Sequence, residues 1–224
     1  MAQVLDHADV QSRPSLAGWQ IIDERLVATF RTKAMPRGVE LVRRVVDEAE
    51  DMNHHPDVDL RYARVHVALV THSAGGITER DVALAERVST IATELEAPVE
   101  PARPRGLQIA IDATDIPAVV PFWRAVLGHR PVGGTRDDLT DVTELSDPDG
   151  RLPGVWFQQM DAPRPGRGRI HLDVHVPHEQ AEARVAAALE AGGHVVSDVY
   201  SPSWWVLADA EGNEACVCTW REHD

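Results

Sequence analysis

The chain has 224 residues, 43% of them hydrophobic and 26% charged, with a formal net charge of −14 at pH 7. This composition is typical of globular proteins, and the length allows two domains with separate cores. The acidic balance argues against nonspecific binding to nucleic acid or anionic membranes, which requires clustered lysine and arginine. No apolar run approaches the roughly 20 residues of a membrane span, and the N-terminus lacks a basic and apolar leader, so we predict a cytoplasmic protein.

The first hundred residues alternate between strand and helix patterns. Two short strands are predicted at 18–23 and 25–32, followed by an amphipathic helix over 36–52 and a β-rich segment over 59–72. Thr78 with Asp81 resembles a helix N-cap, and a second apolar stripe follows it to Leu95. The order predicts an α+β fold, an antiparallel sheet with helices on one face.

A proline-rich stretch interrupts this pattern. Residues 98–105 hold three prolines without periodicity, which predicts a linker between domains at 1–97 and 106–224. The second domain repeats a β-α-β order, with helices over 116–128 and 179–193. We therefore predict paired βαβββ modules, joined in one curved sheet around a cleft. Its two cysteines, Cys216 and Cys218, alternate along a strand and are poorly placed to bond each other, which fits a reducing compartment.

Histidines gather where the first helix and the β-rich segment end. His54 and His55 follow that helix, with Glu50 inside it and Pro56 after them, and His72 ends the β-rich segment. Imidazole moves protons near neutral pH, and a carboxylate such as Glu50 can orient one ring. The same residues could form a three-histidine zinc site or a solvated loop with incidental histidines, and the chemistry alone leaves these alternatives open.

The stretch resembles the signature of the pterin-4a-carbinolamine dehydratases over roughly residues 5–95. That signature has an acid four residues before a His-His-Pro run, then an aromatic residue, a third histidine and a Gly-x-Thr-x-x-Asp segment. A tryptophan follows a glycine near its start. Here these positions hold Glu50, His54, His55, Pro56, Tyr62, His72, Gly76, Thr78, Asp81 and Trp19. The family's phenylalanine-rich strand is reduced to Phe30, which affects core packing more than chemistry.

The resemblance implies dehydration of a 4a-hydroxytetrahydropterin to the quinonoid dihydropterin, without a cofactor. By resemblance, His54 and His72 are the acid/base pair, His55 holds the pterin and Glu50 supports His54. Pro56, Asp81 and Trp19 are implied as supporting or substrate-binding residues. A homo-oligomer is implied as well. One animal member of the family also acts as a dimerisation cofactor for a transcription factor, which adds a binding module as a second class of function. The alternative is therefore a ligand-binding or regulatory fusion protein with a vestigial dehydratase site.

The second domain resembles the glyoxalase-like members of the vicinal oxygen chelate superfamily. The resembling segments are residues 115–128, the turn at 147–150, the run at 168–173 and residues 209–213. By resemblance, a divalent metal would be held at Gln108, Gln158, His171 and Cys216. The ligand of the domain is left open, and a metal-dependent lyase or dioxygenase is a further alternative for the protein. Two amides and a thiol suit Mg²⁺, Mn²⁺ or Fe²⁺ poorly, whereas Zn²⁺ tolerates the thiol.

Two further patterns in the second domain bear on a ligand. Asp173 and His175 alternate with His171 on one strand face, so one of them could act as a base. Trp156, Trp204 and Trp205 could line a metal-free cleft for a small molecule, or pack as core.

Overall fold

The computed structural model describes the chain except residue 1 and residues 133–137, 164–165, 167–169 and 222–224. It divides into two compact units, Met1–Gly106 and Leu107–Asp224. The first residues of the predicted run at 168–173 lie outside the described part. Within the described residues, no helix has the length and apolar character needed to cross a membrane.

The first unit is a four-stranded antiparallel sheet covered by helices. The sheet has the strand order β1-β2-β4-β3. Its elements are α1 (His7–Gln11), a 3-10 turn (Pro14–Leu16), β1 (Gln20–Ile22), β2 (Arg25–Arg31), α2 (Met35–Met52), β3 (Asp57–Arg61), β4 (Arg64–Leu69) and α3 (Glu79–Glu94).

Strand alternation explains which face of this sheet is covered. Leu26, Ala28 and Phe30 of β2 and the odd-numbered residues 65–69 of β4 point into a single core, because successive side chains on a strand face opposite ways. The helix α2 adds residues at helical spacing, among them Leu41 and Val45. The predicted α+β class, with helices on one face, is confirmed.

The start of the predicted linker is part of the first unit. Val99 forms a β-bridge with Phe30, and the Glu100 amide donates to the carbonyl of Thr29 at 2.7 Å. Gly18 has φ +92, and a Cβ there would lie 2.4 Å from Val99 Cγ1. The proline-rich composition therefore does not keep residues 98–100 away from the sheet, because their backbone groups find partners on β2.

The second unit contains two βαβββ modules. The first comprises β5 (Gln108–Ala113), α4 (Ile116–Leu127), β6 (Arg130–Pro131), β7 (Glu144–Ser146) and β8 (Gly154–Gln159). The second comprises β9 (Leu172–His175), α5 (His178–Glu190), β10 (His194–Ser197), β11 (Trp204–Ala208) and β12 (Glu214–Cys218). Their strand orders, β5-β8-β7-β6 and β10-β11-β12-β9, are equivalent, which confirms the predicted modules.

These modules form two sheets rather than the one curved sheet that we predicted. Both contribute to one hydrophobic core, and α4 supplies buried Phe122 and Trp123 to it. The indole of Trp123 donates to buried Asp209 at 2.9 Å, and Glu211 accepts from the backbone amides of Thr114 and Asp115. The turn between β11 and β12 thus ties the second module to the first.

Candidate functional site

The end of α2 sets the path of the chain into the histidine pair. Asn53 has the left-handed conformation, φ 46 and ψ 45, and its amide closes the last turn of the helix. The guanidinium of Arg80, on the first turn of α3, donates to the carbonyls of Met52 and Asn53 at 3.0 and 2.6 Å. Since these carbonyls have no partner within α2, Arg80 fixes the point from which His54 leaves the helix.

The β3–β4 hairpin brings the second histidine segment to the first. Asp57 pairs with Ala68, and Arg61 pairs with Arg64. Continued past β3, the same antiparallel register places residue 54 across from residue 71. His54 and His55 therefore leave α2 beside the segment that ends in Thr71 and His72.

Asp81 holds this region together. Its Oδ1 lies 2.7 Å from Nε2 of His54, and its Oδ2 accepts from the Thr71 hydroxyl at 2.6 Å and from the Thr78 amide at 2.8 Å. Asp81 is fully buried and His54 is 6% exposed. Because a carboxylate only accepts, this contact selects the tautomer in which Nε2 of His54 carries the proton, and Nδ1 is the ring nitrogen outside this hydrogen bond.

The carboxylate in contact with His54 is therefore Asp81, whereas Glu50, which the resemblance implied for His54, contacts His55. Oε1 of Glu50 lies 3.1 Å from Nε2 of His55, and both side chains are exposed. Glu50 lies in the last turn of α2. Asp81 reaches His54 from the first turn of α3, where the capping box turns its side chain back toward Thr78.

The remaining predicted residues divide into two groups. His72 is exposed next to Thr71, and Pro56 is partly buried after His55, so both belong to this region. Trp19 is buried instead, and its indole donates to Ser89, which lies eight residues, or about 12 Å along the helix axis, beyond Asp81 on α3. Tyr62 lies in the β3–β4 turn and is 75% exposed.

A cavity of about 510 Å³ lies near the C-terminal end of α3. It is lined by Phe30, Ser89, Thr93 and Val99, among others, and by none of the three histidines.

A second cluster of polar side chains lies on the paired strands β9 and β12. These strands are parallel, with Asp173 opposite Cys216 and His175 opposite Cys218. The imidazole of His171 lies 3.3 Å from Asp173, and potential ligand atoms of His171, Asp173 and Cys216 all lie within 4.8 Å of one another. The structure therefore brings together two of the four predicted metal positions and adds Asp173.

The two predicted amide ligands lie on the sheet of the first module. Gln108 begins β5 and donates to Glu144 at 3.2 Å, while Gln158 on β8 is exposed and pairs with Asp112. Burial raises the pKa of Cys216 to about 12, and the carboxylate of Asp173 acts in the same direction. Without a bound cation the thiol stays protonated at neutral pH, which argues against a role as a free nucleophile.

The sequence offered signals for the residues whose contacts we did not predict. The sequence predicted that Thr78 and Asp81 cap α3. In the structure, this capping arrangement also places the buried carboxylate of Asp81 next to His54. Arg80 follows the cap residue by two positions, and nothing in the sequence alone pairs it with α2. Asp173 shares a strand face with His171, although only the register of β9 with β12 adds Cys216.

Comparison with known proteins found a family match for each unit. The family profile "Pterin 4 alpha carbinolamine dehydratase" matches residues 3–91, and "Glyoxalase-like domain" matches residues 108–218. A protein of Thermomicrobium roseum, named "Putative pterin-4-alpha-carbinolamine dehydratase", is 43% identical over 90 residues, which are 40% of this chain and 97% of that protein.

Two solved structures are similar to one unit each. A transcriptional coactivator/pterin dehydratase from Brucella melitensis has 30% identity and a TM-score of 0.38, with 40% of this chain and 99% of that chain covered. A glyoxalase/bleomycin resistance protein/dioxygenase family enzyme from Burkholderia phytofirmans has 18% identity and a TM-score of 0.38, with 50% and 95% covered.

The chain thus joins an α+β unit with a buried histidine–carboxylate pair to a unit of two βαβββ modules. Through its N-terminal unit it belongs to the pterin-4a-carbinolamine dehydratase family, and its C-terminal unit matches the profile of the glyoxalase-like domain.

Proposed function

We propose that the N-terminal unit catalyses loss of water from a 4a-hydroxytetrahydropterin, giving the quinonoid dihydropterin. The hydroxyl group on C4a must gain a proton as the C4a–O bond breaks, and N5 must lose one as the C4a–N5 double bond forms. The two transfers balance, so acid/base groups suffice and neither a metal nor a cofactor is required by the reaction.

The observation that supports this proposal best is the contact between His54 and Asp81. A carboxylate that accepts from one ring nitrogen fixes the tautomer and stabilises the imidazolium that forms when the other nitrogen takes a proton. With Nε2 bound to Asp81 at 2.7 Å, Nδ1 of His54 is the atom that would exchange a proton with the pterin. This arrangement suits a general base or acid.

The two exposed histidines take the other roles. His72 follows Thr71, a member of the Asp81 network, and would act as the partner of His54 in proton transfer. His55 is exposed, is supported by Glu50 and would hold the pterin ring.

The test is the rate of quinonoid dihydropterin formation from freshly generated 4a-hydroxytetrahydropterin, measured against the spontaneous reaction. We expect His72→Ala to lower kcat/KM by about 10²-fold or more, the scale of acid/base groups, and His55→Ala to lower it by a similar factor because the pterin is no longer held in place. The matched control is His7→Ala, which removes an exposed histidine paired with Glu24 and should leave the rate unchanged. Full activity in both site variants, or no acceleration by the wild type, would refute the proposal.

We also propose that the protein is a homo-oligomer in which α2 packs against a second copy. Met35, Val39 and Val46 are 44%, 53% and 45% exposed and recur with helical spacing on the outer side of this helix. A combined Val39→Glu and Val46→Glu variant should shift the mass measured by light scattering to that of the monomer. The control Tyr62→Glu changes an exposed aromatic residue in the β3–β4 turn and should leave the mass unchanged.

A further inference from the structure

The cavity near the C-terminal end of α3 lies within the N-terminal unit and apart from the three histidines. Thr93, which lines it, is twelve residues beyond Asp81 on α3, or about 18 Å along the helix axis. The cavity volume of about 510 Å³ falls in the range of small-molecule sites, roughly 300–1,000 Å³. The cavity is therefore a place where a ligand could bind separately from the proposed dehydratase site.

Much of the cavity wall is apolar and already in place. Phe30, Ala92 and Ala97 line it and are buried. The amide of Ala97 donates to the carbonyl of Ala92 at 2.8 Å. The next residue, Pro98, also lines the cavity, and its carbonyl accepts from the amide of Arg31 on β2 at 2.9 Å. Because these backbone hydrogen bonds fix the wall, the cavity is preformed, as small-molecule sites usually are.

Two hydroxyl groups line the cavity, and both offer acceptors to a ligand. The hydroxyl of Ser89 donates to the carbonyl of Ala85 at 2.9 Å and accepts from the indole of Trp19 at 2.9 Å. The hydroxyl of Thr93 donates to the carbonyl of Ser89 at 2.9 Å. A hydroxyl has one hydrogen to donate and two lone pairs that accept. Since both hydrogens are engaged within α3, these groups can only accept from a ligand.

Glu96 supplies the charge of the cavity, because no other described residue that lines it is ionisable. Nearby Glu94 pairs with Arg44 at 2.5 Å. Glu100 pairs with Arg64 at 2.7 Å. No cationic side chain of the described residues pairs with Glu96 in this way. The last turn of α3 contains no basic residue either, so the negative end of the helix dipole adds to the charge of Glu96.

The backbone of Glu96 points to the same carboxylate. Glu96 has φ 50, the left-handed conformation, one residue past the C-cap Leu95. Its amide donates to the carbonyl of Thr93 at 3.0 Å, as in the helix-ending motif that usually has glycine at this position. A side chain here costs stability relative to glycine. The chain nevertheless places a glutamate at this position, where it lines the cavity.

From the acceptor groups, the charge and the apolar wall, we propose that this cavity binds a small organic amine. Its ammonium group would contact the carboxylate of Glu96 and the hydroxyl lone pairs, and its apolar body would pack against Phe30 and Pro98. A neutral ligand would leave Glu96 without a countercharge, and an anionic ligand would be repelled by it. A lysine side chain of a partner protein would leave most of the 510 Å³ unfilled, so the ligand is a free small molecule. Amine binding here does not depend on the dehydratase activity proposed for the histidines.

The test is calorimetric titration of the full chain at neutral pH with three probes of similar size. The probe 2-phenylethylamine carries the ammonium group, 2-phenylethanol has a neutral hydroxyl in its place, and phenylacetate has a carboxylate. We expect the amine to bind about fivefold more tightly than the alcohol, the scale of a partly exposed ion pair, and phenylacetate not to bind. Added salt should reduce the preference for the amine, because it screens the charge of Glu96.

Two pairs of variants locate the bound amine. Glu96→Gln should reduce the preference for the amine over the alcohol to less than about twofold, whereas Glu94→Gln, outside the cavity lining, should keep it. Thr93→Trp should block the cavity and abolish binding of both probes. The control Thr90→Trp changes an exposed threonine about one turn earlier that makes the same kind of hydrogen bond within α3 and does not line the cavity, so it should leave binding unchanged.

Three results would overturn the inference. The first is a wild type that does not bind the amine, and the second is equal affinity for the amine and the alcohol. The third is an unchanged preference in Glu96→Gln or unchanged binding in Thr93→Trp, since the amine would then bind elsewhere in the chain. Thermal unfolding checks the fold of each variant. If Thr93→Trp unfolds, Glu96→Gln decides the matter, because it changes only one group of an exposed side chain.

Discussion

Two histidine–carboxylate pairs lie side by side in the N-terminal unit and differ in their surroundings. His54 and Asp81 are 2.7 Å apart, with side chains 7% and 0% exposed. His55 and Glu50 are 3.1 Å apart, with side chains 57% and 69% exposed. The histidines are neighbours in sequence, yet one ring is enclosed by protein and the other is in solvent.

The difference teaches that the same pair of residue types can serve two purposes. A buried charge-assisted hydrogen bond is strengthened by its low-dielectric surroundings and fixes the ring that it contacts. An exposed pair is weakened by water and salt, so its ring can move to meet a ligand. This contrast supports His54 as the positioned acid/base group and His55 as the residue that adapts to the pterin.

The largest expected effect comes from Asp81→Asn. An asparagine side chain has one acceptor oxygen where aspartate has two. If that oxygen faces His54, the Thr78 amide and the Thr71 hydroxyl meet the NH₂ group, and if it faces those two groups, His54 meets the NH₂ group. We expect kcat/KM to fall by about 10²-fold or more and the free energy of unfolding to fall by about 3 kcal/mol. Steady-state kinetics and denaturant unfolding measure the two effects.

Glu79→Gln is the control for this variant. Glu79 lies on the same helical turn and pairs with Arg13 at the surface, so its substitution should change neither quantity appreciably. Equal losses in the two variants would show that negative charge in the first turn of α3 causes the effect, and that the buried contact between Asp81 and His54 does not.

The sequence predicted the fold of both units because their core patterns are local. The alternation of β2 and β4 and the stripe of α2 encode which faces are buried. The register of a hairpin also follows from its turn, so the approach of residue 54 to residue 71 was accessible from the position of the β3–β4 turn. The three histidines were recognised through their spacing.

The sequence did not predict contacts between distant segments. The family resemblance implied that Glu50 supports His54, whereas in the structure His54 contacts Asp81, a carboxylate 27 residues further along the chain, in the first turn of α3. Trp19 likewise followed a family position, whereas its indole bonds to Ser89 in the core. Such pairings depend on how helices pack against the sheet, which periodicity does not specify.

An intermediate effect is expected for Arg80→Gln. This substitution loosens the end of α2 but leaves the carboxylates of Asp81 and Glu50 unchanged. Loss of hydrogen bonds to two helix-terminal carbonyls should cost about 1 kcal/mol of stability. The freer loop should lower kcat/KM about fivefold, since small displacements of catalytic groups slow reactions. Arg87→Gln removes another α3 arginine, one that pairs with Glu48, and should leave kcat/KM unchanged. Equal activity losses in the two variants would contradict a positioning role for Arg80.

The smallest effect is expected for Glu50→Gln, which neutralises the exposed partner of His55. Because the pair is open to solvent, KM should rise by no more than about threefold while kcat stays constant. Salt screens exposed charges, so raising the ionic strength should raise the wild-type KM toward that of the variant. Kinetics at two salt concentrations measure this convergence. A large loss of kcat in Glu50→Gln would mean that the exposed pair also takes part in proton transfer, and the contrast between the two pairs would then fail.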